Sequence, residues 1–152
     1  MTSTDTSLQT RDGHRLAIPA GLSHLEIGEE LIASSNNAGA WLFSAKDLRL
    51  QRDVLLKIIA LDLEDREELV TDARLVGNLK HHAYAQIYSL DVFDEKLYIA
   101  VEAIQGQTVA DWVTQQVGQE KLVLLQLLDL ARALAEAHQA HLITGELRIA
   151  DL

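Results

Sequence analysis

Lys57 is the residue best placed to do chemistry. It interrupts the run Val54-Leu55-Leu56-Lys57-Ile58-Ile59, which is otherwise apolar and rich in β-branched residues. A run this short and this apolar reads as a buried strand. A lysine inside such a strand is costly unless a carboxylate or an anionic ligand receives its ammonium group. Asp72 offers the carboxylate. Residues Asp65 to Lys80 read as a helix on which Leu69, Asp72, Ala73, Val76 and Leu79 share one face. An acid on that inner face needs a partner, and Lys57 is the obvious one. At the edge of the face, Asp72 would simply be solvated.

Other groups carry weaker signals. His138 and His141 are three apart, and Glu136 or Glu146 lies near them in sequence. No further ligand has metal-binding spacing, so no metal is expected. His81-His82 closes the helix, where a partly protonated imidazole suits the helix dipole. The chain has no cysteine, which removes disulfides, thiol nucleophiles and thiolate metal sites. No Ser/His/Asp set has a recognisable context. Trp41 and Trp112 read as core or interface anchors.

The elements that must position Lys57 follow from the pattern. The 152 residues are 48% hydrophobic, enough for one core. Residues 1–20 read as a flexible polar tail. Strands are expected over His24–Ala33, Trp41–Ala45 and Val54–Ile59, with a tight turn in Ser34–Ala40. A plain turn is the first reading of that loop, and a backbone anion cradle the second. Period-two alternation puts Lys57 on a face with Leu55 and Ile59, and Val54, Leu56 and Ile58 on the other. After the helix, Ala85–Phe93 and Lys96–Ala103 form a hairpin through Asp94-Glu95. Thr108 caps a short helix through Val113.

Leu122 to Ala140 is a long helix whose polar residues, Gln126, Asp129, Arg132 and Glu136, form one narrow stripe. Asp129, Arg132 and Glu136 are spaced for surface ion pairs. The remaining surface needs cover, and Leu142 to Leu152 is too short to supply it. A protein partner or a homo-oligomer through residues 122–140 is therefore expected. The formal charge of −10, without a basic cluster, argues against nucleic acid and anionic membrane. With no signal peptide and no run of membrane-spanning length, a cytoplasmic location is expected.

The order of elements resembles the N-terminal lobe of a eukaryotic-like protein kinase, with bacterial Ser/Thr kinases the nearest in flavour. Val54-Leu55-Leu56-Lys57 resembles the VAIK strand, with Lys57 as the phosphate-pairing lysine. Asp72-Ala73-Arg74 with Leu79-Lys80-His81 resembles the αC segment and puts Asp72 at the αC acid. Leu97–Ala103 resembles the fifth strand running into the hinge, with Val101 as gatekeeper followed by Glu102 and Ala103. Gly106–Trp112 resembles the start of αD. Leu130–His138 and Leu142–Leu152 resemble αE and the catalytic loop. The resemblance implies an α+β fold: a five-stranded antiparallel sheet with an αC-like helix, then αD- and αE-like helices. It divides the chain into the tail, an N-lobe-like domain over 21–104 and a C-lobe-like helical segment over 105–152.

The departures from that pattern are chemical. The glycine-rich loop falls on Ser35, Asn37 and Ala40, with Gly39 the one glycine nearby. Leu55 replaces the alanine that lines the adenine slot. Asp72 is one methylene shorter than the usual glutamate. Thr144-Gly145-Glu146 stands at the HRD position, so Glu146 replaces the catalytic aspartate, and Asp151 falls at the metal-binding asparagine. The sequence ends at Leu152, before a DFG motif. Phosphoryl transfer rests almost wholly on positioning and metal-held charge. The resemblance with these losses implies a pseudokinase: no catalysis, no cofactor, and ATP with Mg²⁺ at most a residual ligand. Two alternatives stay open. One is a nucleotide-binding N-terminal part of a Ser/Thr kinase, with Lys57, Asp72, Gly39, Leu55, Val101, Glu102 and Ala103 around the nucleotide. The other is an α+β fold of unrelated role.

Overall fold

The computed structural model describes residues 7–11, 13–31, 39–62, 64 and 66–142. Elements follow in chain order as β1 (Ser7–Gln9), β2 (Arg15–Ala17), β3 (Leu25–Leu31), β4 (Ala40–Asp47), β5 (Arg52–Ala60), α1 (Arg66–Asn78), β6 (Ile87–Phe93), β7 (Lys96–Glu102), α2 (Val109–Thr114) and α3 (Glu120–Gln139). The chain divides into two compact units. One comprises residues 1–71 and 86–103, the other 72–85 and 104–152. One boundary falls inside α1, so residues 72–85 group with the helical segment and not with the sheet, and another follows Ala103.

The first unit is built on a five-stranded antiparallel sheet in the order β3-β4-β5-β7-β6. This is an α+β arrangement compatible with a kinase N-terminal lobe. Alternation along β5 buries Val54, Leu56 and Ile58 on one face. Their ladder partners on that face are Ala45, Phe43 and Trp41 of β4 and Ala100 and Tyr98 of β7. These residues form the core with Leu16, Leu22 and Leu25. Burying each large side chain contributes about 1.5–3 kcal/mol. Asp94 and Glu95 close the β6–β7 hairpin with φ of 48° and 55°, as a two-residue turn of this hand requires.

Within the stretch whose polarity suggests a flexible tail, Ser7–Gln9 and Arg15–Ala17 form strands. These strands, β1 and β2, pair antiparallel, and Leu16 is buried at 1% exposure. The Tyr98 hydroxyl donates to the Ala17 carbonyl at 2.6 Å and fastens β2 to the core face of the sheet. A bulge between Ile27 and Glu30 interrupts the alternation of β3. It turns Glu30 to the face of Ile27, where its carboxylate accepts the Arg11 N–H at 2.6 Å.

The second unit is helical. Thr108 caps α2 by accepting the Asp111 N–H at 3.1 Å, and α3 carries the buried residues Ala133 and Ala137. No helix among the described residues is long and apolar enough to cross a membrane.

Candidate functional site

The candidate site is the second face of the sheet. β5 presents Leu55, Lys57 and Ile59 there, opposite the buried row of Val54, Leu56 and Ile58. Leu55 lies between Ser44 of β4 and Val101 of β7 in the ladder, and Lys57 between Leu42 and Ile99. Leu42, Leu55, Ile59 and Val101 are half-buried, whereas Lys57 is exposed. This corrects the expectation of a buried lysine. The strand is buried through its other face, so the Lys57 ammonium keeps its water and needs no carboxylate to hold it. The face carries the Lys57 ammonium beside half-buried Leu42 and Leu55, and further along the same ladder Lys46 stands opposite Asp53. Leu55 lies directly opposite Val101.

The other expected site residues sit as follows. Asp72 is exposed on α1, whose one buried residue is Ala73, so its place on the helix is the solvated one. Lys57 and Asp72 belong to different units. Gly39, with φ of 92°, precedes β4 and accepts the Ala60 N–H at 2.7 Å. An added Cβ there would lie 3.0 Å from the Ala60 Cβ, so the glycine is required by the β4–β5 ladder itself. Ala40 is the first residue of β4, while Ser35 and Asn37 lie outside the described residues. Glu102 exchanges bonds with Gln86: its N–H donates to the Gln86 carbonyl at 2.9 Å, and its carboxylate accepts the Gln86 N–H at 3.2 Å. Ala103 follows β7. Glu146 and Asp151 lie outside the described residues.

Gly28 and Ser44 are additions whose role comes from the contact between β3 and β4. The Ser44 hydroxyl accepts the Glu29 N–H at 3.0 Å and donates to the Glu29 carbonyl at 3.3 Å. It thereby pins the β3 bulge to β4. A Cβ on Gly28 would fall 2.7 Å from the Ser44 oxygen, so glycine is what allows this approach. In sequence the bulge shows only as the adjacent acids Glu29-Glu30, which break a period-two alternation.

Asp47 shapes the β4–β5 turn. One carboxylate oxygen accepts the N–H groups of Arg49 and Leu50 at 3.0 and 3.1 Å, and the other lies 3.6 Å from the Arg52 guanidinium. Burial alone would raise its pKa. The two backbone N–H groups, with the charges of His24 and Arg52, outweigh that and hold the carboxyl below its usual value.

In the second unit, the segment after α1 grips α3. The Lys80 N–H donates to the Glu136 carboxylate at 2.8 Å, and the Tyr84 hydroxyl donates to the Ala133 carbonyl at 2.6 Å. His82 Nε2 lies 2.7 Å and His81 Nε2 3.6 Å from the two Asp129 oxygens. Thus the acids of the polar stripe bind residues 80–82, in place of the expected ion pairs along the helix. His81, His82 and Asp129 place three ligand atoms within 4.8 Å of one another. Their geometry is that of a clamp. His81 Nδ1 accepts the Ala83 N–H at 3.2 Å, which leaves the ring proton on Nε2, facing Asp129. The two rings stack at 4.5 Å and 23°, so their planes do not converge on one ion.

A groove of about 210 Å³ between α2 and α3 is lined by Trp112, Val113, Val123, Gln126, Leu127 and Leu130, with Ala83, Val109 and Asp129. Trp112 lines it as an apolar wall.

No protein-family model matches the chain. The chain is 25% identical over 112 residues to the serine/threonine-protein kinase PrkC of Bacillus subtilis (strain 168). The match covers 70% of this chain and 17% of the length of that kinase. The chain is thus distantly similar to a Ser/Thr protein kinase, and its sheet is compatible with the lobe that such similarity implies.

Proposed function

We propose that this chain is a kinase-related module that has given up catalysis and acts by binding protein. The observation that carries this is the facing of α3. Asp129 and Glu136 of its polar stripe are engaged by residues 80–82, while one run of its leucines faces solvent: Leu124 is 66%, Leu125 52% and Leu128 47% exposed. A surface of this kind on a soluble domain marks an interaction site. Three substitutions in the kinase-like pattern support the loss of catalysis. Leu55 stands in the slot opposite Val101, Ala40 stands where a glycine would let backbone approach phosphate, and Glu146 replaces the catalytic aspartate. A cytoplasmic location fits the absence of cysteine.

The second reading, a surviving nucleotide site, is favoured by the exposed Lys57 above the half-buried Leu42 and Val101. A thermal shift with ATP, with and without Mg²⁺, separates the two, because a ligand that binds the folded state raises the melting point. Loss of the site predicts no shift at millimolar ATP. A rise that disappears in Lys57→Ala would overturn that and establish nucleotide binding.

A further inference from the structure

We infer that the exposed face of α3 is a self-association surface on which a second copy of this chain lays its own α3 antiparallel. This deepens the interaction-module reading and rests on it. The centre of the exposed face is Leu124, Leu128, Ala131 and Ala135, all of them exposed. Their spacing of four, three and four is that of a coiled-coil seam, so the surface fits another helix. Ala133, at 1% exposure, lies on the opposite side of α3, turned into the unit.

The size gradient along the seam selects the occupant. The two seam residues in the first half of the helix are leucines, and the two in the second half are alanines. A parallel copy would set leucine against leucine at one end and alanine against alanine at the other, leaving a gap. An antiparallel copy sets Leu124 against Ala135 and Leu128 against Ala131, twice each by symmetry. Every central layer then pairs one large side chain with one small one, as close helix packing requires. The flanks agree. Leu125 falls beside the aliphatic stem of Arg132 from the other copy, and Leu127 beside the half-buried Leu134, so no like charges face each other there. Lys121 and His138 close the two ends of the seam. An isologous contact of this kind is closed and yields a dimer.

The test is the mass of the full chain in solution, followed by cross-linking. The chain holds no native cysteine, so introduced thiols report register without background. Sedimentation equilibrium should show twice the 16.8 kDa chain mass, and Leu128→Glu should weaken the dimer by about tenfold or more. Mixing Leu124→Cys with Ala135→Cys chains under oxidation should give the mixed disulfide, as should Leu128→Cys with Ala131→Cys. Leu124→Cys alone should not cross-link, because the two sulfurs lie about 16 Å apart along the axis in this register. Efficient Leu124→Cys self-linking, or a dimer indifferent to Leu128→Glu, overturns the proposal. A monomer at concentrations on the order of 100 µM does so too. In that case a hydrophobic dye separates the readings. Dye binding abolished by Leu128→Glu leaves an interaction module with a different partner, and no dye binding removes the module reading as well.

Discussion

Tyr98→Phe tests how the first unit is closed. Tyr98 is fully buried, and its hydroxyl donates to the Ala17 carbonyl at 2.6 Å across 81 residues of sequence. Phenylalanine keeps the ring packing and deletes only the donor, leaving the Ala17 carbonyl without its partner. That should lower stability by about 1–2 kcal/mol. A second observable comes from ionisation. Burial, followed by the nearby charges of Asp94 and Asp91, pushes the Tyr98 pKa up to about 12 from 10. A group whose folded pKa is raised contributes stability that is fully present below the unfolded pKa. That stability is lost as pH rises through the folded pKa. The wild type should therefore lose on the order of 2 kcal/mol between pH 10 and 12 that the variant does not lose. Urea denaturation at pH 7 and at steps up to pH 12 measures both effects. The midpoint of the variant should be lower at neutral pH, and the two midpoints should converge at high pH. Equal midpoints at pH 7, or a constant gap through pH 12, would refute the assignment of this bond as the fastening of β2.

Two further substitutions probe local geometry. Gly28→Ala should destabilise by about 1–2 kcal/mol, since its Cβ would meet the Ser44 hydroxyl, and the loss should shrink in a Ser44→Ala background; a purely additive double mutant would show that the contact is not the cause. Asp47→Asn should flatten the acid limb of the stability curve. A depressed carboxyl pKa contributes stability above the unfolded value that is lost as pH falls through the folded one, so the wild type should weaken below about pH 4 while the variant changes little. Thermal melts at pH 7 down to pH 2 would show this.

The residues that were legible in sequence are those governed by near neighbours. The alternation around Val54, Leu56 and Ile58 placed β5, Asp94-Glu95 placed its hairpin, and Thr108 placed the start of α2. What was illegible depended on distant partners. Leu8 and Leu16 alone do not announce a hairpin, because its anchor is Tyr98, far along the chain. The exposure of Lys57 could not be read from an apolar run, since a strand is buried when either face is covered. The parity change in β3 was visible only as a disturbance at Glu29-Glu30; its cause is Ser44, a polar residue on another strand with nothing local to mark it.

The polar stripe of α3 is the instructive case. Gln126, Asp129, Arg132 and Glu136 are correctly read as one side of a helix, yet only Gln126 and Arg132 are left to the water that a polar side usually meets. Residues 80–82 follow α1 with backbone and imidazole groups that lack helical partners. Two acids from α3 satisfy them, and the Tyr84 hydroxyl adds a bond to the α3 backbone. Turning α3 to bury its leucines would break these bonds together, leaving the Lys80 N–H and the Tyr84 hydroxyl to find other partners. The outward leucines are thus held in place by the polar chemistry of the same unit. A face maintained in this way against its own hydrophobicity is a stronger sign of an interaction surface than its exposure alone.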